Sequence, residues 1–419
     1  MSAQPEHRVT MNGARCSLRS DAPEYASIEV LGRRIARIST NSHQSSRSDP
    51  SCARIDLGGY LLLPGFINAH DHLQYSLFPR LGTPPYRSYL DWGEDIHNRF
   101  AGLITNHRNV PKDVRLWWGG IRNLLCGVTT VCHHDPLWTE LLNDDFPVRV
   151  VREFGWAHSL ALGGDLHQAR AATPSGRPFI IHALEGVDQK TRRELQELDR
   201  LGLLDANTVL VHGLALDRDG AALMRRRRAS LVICPSSNKF LFERMPDMSL
   251  LGSLDRIALG NDSPLTALGD LLDEVRLTMR YCRITSHAAF RMITAAPAAI
   301  LHLTNCEGSI AESGIADLIA IRDTGQDIED RLQTLSMHDV ELVMIGGQLQ
   351  LASPRILRRL PSQMVESLEP LRIDNSVRWL RAPVKSLLQR AEAALGEGEL
   401  HLGYRKISIP SRVEAGYVG

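Results

Sequence analysis

Short apolar runs bounded by turns alternate with longer amphipathic stretches through most of this chain. GVTTVCHH, VRVVREFGWAH, FIIHALEG, TVLVHGLAL, ASLVICPSS and DRIALGNDS each hold only a few apolar residues, the length of a strand rather than a helix. Between them, residues 191–201, 218–228 and 270–282 carry apolar positions at helical spacing. Strands buried on both faces, each followed by a helix, are the pattern of a parallel α/β barrel or a doubly wound sheet. From about residue 64 to 305 the strand–helix count favours the barrel. Outside that span the pattern turns to β. SIEVLGRRIARIS alternates apolar and polar residues around a glycine turn, and GSIAESGIADLIAIRD and VELVMIGGQLQLA follow the barrel segment. The serine-rich residues 42–51 predict an exposed loop, and 353–419 a helical tail whose one clear helix spans 376–395. The expected domains are therefore 1–63 with 306–352, then 64–305, then 353–419.

Composition narrows the class. Forty-eight basic residues balance 48 acidic ones over 419 positions, and 43% of the residues are apolar. Disorder over most of the chain is excluded, and a dedicated nucleic-acid or membrane-surface binder would gain nothing from the long-range field. No run approaches the roughly 18 apolar residues of a membrane helix, and the first residues contain no apolar signal region. Seven scattered cysteines without a C-x-x-C pair argue against a disulfide framework and for a reducing cytoplasm. The run Arg225–Arg228 is expected to end a helix, where cations suit the dipole.

Chemistry concentrates where the apolar runs end. In LLLPGFINAHDHL, His70 and His72 stand two apart, so on a strand both imidazoles point to one face, with Asp71 turned away. Imidazole is the usual nitrogen ligand of zinc. His182 ends FIIHALEG with Glu185 three residues on, His212 ends TVLVHG, and Asp262 follows RIALG. Each alone could be a buried histidine or a helix cap. Four strand ends each delivering His or Asp, in a barrel whose functional groups sit at its C-terminal mouth, read jointly as a metal hydrolase site.

The pieces PGFINAHDH, GVTTV, HALE, VHG, CPSSN and GNDSP, in that order over nearly the whole chain, resemble the amidohydrolase superfamily. The resemblance is to its branch of cytosine, guanine and S-adenosylhomocysteine deaminases and triazine hydrolases. It implies a (β/α)8 TIM barrel with a small β-sandwich assembled from both chain ends. It also implies metal ligands at His70, His72, His182 and Asp262, with Glu185 as the proton carrier and His212 orienting water and substrate. Members with two metals often bridge them by a carboxylated lysine on the fourth strand. This chain has no lysine between Lys112 and Lys190, and Glu153, which could replace it, reads as structural. One cation is therefore expected, zinc first and iron(II) as the rival. Gln74, Trp92, His158 and Asn238 are the candidate substrate contacts, while His133 and His134 are expected to hydrogen-bond behind the ligands. The expected activity is deamination of an amino-substituted N-heterocycle by a homodimer or larger oligomer. Hydrolysis of a cyclic amide, dechlorination of a triazine and a catalytically silent scaffold are the alternatives.

Overall fold

The computed structural model describes residues 7–18, 23–40, 52–252 and 254–411. The expected loop at 42–51 and the end of the tail lie outside them. Eight short parallel strands form the barrel: β1 (Phe66–Asp71), β2 (Val128–His133), β3 (Arg149–Val150), β4 (Gly155–Ser159), β5 (Phe179–Ala183), β6 (Thr208–His212), β7 (Ser230–Ile233) and β8 (Ile257–Leu259). β1 to β3 pair in one run and β4 to β8 in another. Valine, isoleucine and leucine dominate the central strands because β5, β6 and β7 are buried on both faces.

Closure between β8 and β1 depends on one glycine. A Cβ at Gly260 would lie 2.6 Å from the Cβ of His70. The bare backbone instead lets Asn261 N and Asp262 N both donate to His70 O, at 3.0 and 3.1 Å. The last strand is thereby clamped against the first at the level of the histidines.

Both chain ends build a separate twelve-stranded mixed sheet. Leu318–Arg322 pairs antiparallel with Tyr60–Pro64, the strand that leads directly into β1. Val9, Ile28, Ile55, Leu318 and Met344 pack in a second hydrophobic core on this sheet.

The tail departs from the helical expectation. Glu369–Ile373 and Ser376–Leu380 form a hairpin around the two-residue turn Asp374–Asn375, and His401–Leu402 and Arg405–Ser408 form another. Asp374 takes a positive φ of 48°, as such a tight turn demands. The helix starts only at Val384, directly after Pro383, because a residue preceding proline is kept extended. The apolar spacing of SVRWL suits a strand face as well as a helix stripe. Among the described residues no helix is long and apolar enough to cross a membrane.

Candidate active site

His70 is the penultimate residue of the fully buried β1 and His72 lies just beyond the strand, with both rings turned to the same site. His182 lies opposite them near the end of β5. The Nε2 atoms of His72 and His70 each lie 3.3 Å from Nε2 of His182. The outer nitrogens fix what those atoms carry. His182 Nδ1 donates to the carbonyl of His158 at 2.8 Å, and His72 Nδ1 donates to Asp135 at 2.8 Å. In the neutral rings both Nε2 atoms therefore present lone pairs to each other, and neither can donate a hydrogen bond. Two nitrogens bound to one zinc at roughly 2.0–2.1 Å with tetrahedral angles would stand about 3.3 Å apart. The donor set fits a divalent cation.

Asp262 closes the group from the β8 side. Its Oδ1 lies 3.8 Å from Nε2 of both His70 and His72 and accepts from Ser263 N at 2.7 Å. Leu184, His212 and Asp262 all have positive φ, at 61°, 79° and 58°. Left-handed backbone at non-glycine residues costs about 1–3 kcal/mol each and gathers where a scaffold aims functional groups. Here it turns the chain at the ends of β5, β6 and β8. Glu185 and His212 stand side by side, with Oε2 and Nε2 3.5 Å apart, and His212 Nδ1 donates to Asn238 Oδ1 at 3.3 Å.

Two buried carboxyls are tuned in opposite directions. Burial, reinforced by the charge of Asp262 and then of Glu194, pushes Glu185 well above the usual carboxylate range. Burial also opposes the charge on Asp262, but the His70 contact and the surrounding imidazoles outweigh it and hold Asp262 well below that range. Burial brings His212 down to about 4, so it is neutral at pH 7. A protonated and an ionised carboxyl beside one cavity are the pairing that acid–base chemistry uses.

A cavity of about 220 Å³ opens onto His72, His182, Glu185, His212 and Asp262. Trp92 and His158 line it. The segment bearing Trp92 is held over the mouth by Tyr89 N, which donates to Glu185 O, and by the Tyr89 hydroxyl, which donates to Ser159. Gln74 and Asn238 are not among the residues lining the cavity and take other parts. Gln74 sits in the tight turn Leu73–Tyr75, which folds its side chain under His72 to donate to Asp135 Oδ2 at 2.6 Å. Asn238 lies in the first turns of the helix Pro235–Phe242, where it meets His212. Glu153 is well exposed and pairs with Arg177 rather than facing the site. Asp71 turns away to Arg122, at 2.5 Å, and to Asn123.

Asp135, which holds both His72 and Gln74, was not legible from strand spacing, because it lies two residues beyond the end of β2. The signal available was HHDP, a fifth strand end rich in ligand-type residues. His133 does stand behind the site, accepting from Leu73 N at 3.3 Å. His134 donates from Nε2 to Ala157 O at 3.1 Å, and one of its ring nitrogens also lies within 4.8 Å of those of His70, His72 and His182.

Residues 168–349 match the amidohydrolase family. The 5-methylthioadenosine/S-adenosylhomocysteine deaminase of Haloquadratum walsbyi is 25% identical over 336 residues, 67% of this chain and 75% of that protein. The zinc complex of atrazine chlorohydrolase from Arthrobacter aurescens superposes with a TM-score of 0.70 at 16% identity, covering 92% of this chain and all of the other. A zinc-bound adenosine deaminase from Xanthomonas campestris gives 0.66 at 16% identity, covering 92% and 97%. At that identity the two solved structures speak for the fold, a TIM barrel. Family match, deaminase-named relatives and fold agree: residues 168–349 carry an amidohydrolase domain, that of a hydrolase acting on carbon–nitrogen bonds.

Proposed function

We propose that this protein removes ammonia from an amino-substituted N-heterocycle, with adenosine-like compounds the first candidates, by adding water at the carbon that bears the amino group. The observation that carries the reading is the convergence of three imidazole nitrogens within 3.3 Å contacts beside Asp262. The relatives named for methylthioadenosine and S-adenosylhomocysteine support the adenine class.

His70, His72, His182 and Asp262 would hold one divalent cation, with zinc preferred over iron(II). The absence of lysine between residues 112 and 190 removes the usual bridge to a second. When bound, such a cation supplies Lewis acidity that brings the pKa of a water from 15.7 towards about 7. Asp262, held ionised, takes a proton from the attacking water. Glu185, held protonated, gives its proton to the ring nitrogen next to the reacting carbon and takes one back from the added hydroxyl as the oxo group forms, while the proton held by Asp262 leaves with the amine as ammonia. His212, fixed by Asn238, orients water and the developing oxygen. Groups of this kind are typically worth about 10²–10⁴-fold each. Trp92 and His158 would bound the heterocycle. On the same reading the protein works in the cytoplasm as a homodimer or larger oligomer. The sheet from both chain ends then serves as a small β-sandwich domain beside the 64–305 barrel.

Zinc-loaded protein assayed with purines, pyrimidines, triazines and cyclic amides, reading ammonia and product mass, tests this. Ammonia release with an oxo group replacing the amino group is expected. Chloride release without ammonia would replace the reading by dechlorination, and no turnover despite a bound cation would favour the scaffold.

A further inference from the structure

We propose that His134 is a fourth imidazole of the cation site, an inference that rests on the cation reading above. It lies outside the four residues that the resemblance implies. Its place in the fold is independent of theirs, for it comes from the end of β2, next to Asp135. The ring is 1% exposed, and its Nε2 donates to the carbonyl of Ala157 at 3.1 Å. A carbonyl only accepts, so the proton is on Nε2 and the lone pair is on Nδ1. That Nδ1 is buried and has no hydrogen-bond partner. Its ring centroid lies 4.3 Å from that of His182 and 5.1 Å from that of His70.

Buried polar atoms rarely go unpaired, and although His133 Nε2 is unpartnered too, only His134 of the two belongs to the group of rings whose ligand atoms converge. His134 spends its donor on fixing the ring and leaves its acceptor unpaired, in a ring packed beside those of His70, His72 and His182. The ligand atoms of the four rings lie within 4.8 Å of one another. Two nitrogens on opposite sides of one zinc can be at most about 4.2 Å apart, so a shift of roughly half an ångström brings the widest pair into range. With Asp262 the centre would be five-coordinate, a number that zinc reaches readily.

Cobalt(II)-substituted full-length protein separates the possibilities. Four exchangeable imidazole N–H resonances shifted by the paramagnetic ion are expected, and three would overturn the proposal. In parallel, His134→Gln keeps a donor for Ala157 O, and His134→Ala removes the side chain. Both should weaken zinc affinity, read by competition with a chelator, by at least the roughly 10–100-fold that even the outer partners of metal ligands cost. The visible cobalt bands should intensify towards those of a four-coordinate ion. Matching thermal midpoints of the metal-free proteins show that the variants fold. Should they fail to fold, the resonance count on the unaltered protein still decides. Unchanged affinity and bands in a folded variant would overturn the role of His134 while leaving the four-ligand site intact. Unaltered protein that takes up no stoichiometric cation would overturn both readings.

Discussion

Around Asp270 and Asp273 buried charge is answered by opposite charge, whereas around His70 it is not. Asp273 pairs with Arg405 at 2.7 Å and also with Arg276, and Asp270 lies 3.0 Å from Arg405. Two carboxylates thus meet two guanidiniums, tying the last hairpin of the chain to α1 (Leu271–Cys282), the helix that follows β8. At the barrel mouth, imidazoles from β1, from β5 and from just beyond β2 gather beside the carboxylates of Asp262 and Asp135, and His70 and His134 each keep an unpartnered ring nitrogen. The first cluster is balanced in charge by protein atoms alone. The second has the composition of a site that a ligand completes, and its cost in unpaired lone pairs and left-handed backbone makes sense only on those terms.

If that contrast holds, the two clusters should fail in different ways. Asp262→Ala should have the largest effect. Activity should fall by more than the roughly 10⁴-fold that separates acid–base help from its absence, and metal analysis should show the cation lost with it. An Asp262→Ala protein that keeps stoichiometric metal would move Asp262 out of the ligand set. Glu185→Gln should come next, with kcat reduced about 10²–10⁴-fold and metal content unchanged. Loss of metal in that variant would blur the division between ligand and proton carrier.

Arg405→Met tests the other cluster. Removing one partner of a buried ion pair costs about 3–5 kcal/mol because the remaining charges are stranded, and here Asp270 and Asp273 would both be left short. Denaturant unfolding should report a loss of that size, while the protein that remains folded keeps its metal and its kcat. Metal loss at full occupancy of the folded state would join the two clusters into one.

The metal-ligand candidates were legible because strand ends announce themselves. An apolar run stops, and a His or Asp stands at the place where barrels expose functional groups. Gln74 and Asn238 were misplaced for the complementary reason. Each sits one turn beyond a strand end, where the direction of a side chain depends on a short helical turn rather than on the two-residue period. Asp135 escaped because its value lies in what it touches, His72 and Gln74, and neither contact has a sequence spacing that signals it. The twelve-stranded sheet was half legible. The N-terminal strands alternate clearly, but SVRWL fits two periods, and Asp374–Asn375 was the turn signal that should have decided between them.

Asp135→Asn sharpens the contrast on a smaller scale. The carboxylate accepts from His72 Nδ1 and from Gln74, and its interactions with these two donors outweigh burial to hold it in the ionised form. An amide in its place can still accept one hydrogen bond but loses the charge that makes His72 a better donor to a cation. A 10–100-fold loss of zinc affinity is expected, with the fold unaltered. An unchanged affinity would make Asp135 a packing residue.

The smallest effect should come from a pair that belongs to neither cluster. Arg227 ends the helix Arg218–Arg227 and meets Asp199 at 2.6 Å, but Arg227 is exposed and Asp199 partly so. Water already solvates each charge, salt screens their attraction, and holding two flexible side chains together costs entropy. Arg227→Ala should therefore cost only about 0.2–1 kcal/mol and shrink further at high ionic strength, as read by denaturant midpoints at two salt concentrations. A loss approaching that of Arg405→Met would mean that ion pairing alone, rather than its burial, governs stability here, and the distinction between the compensated cluster and an ordinary surface contact would fall.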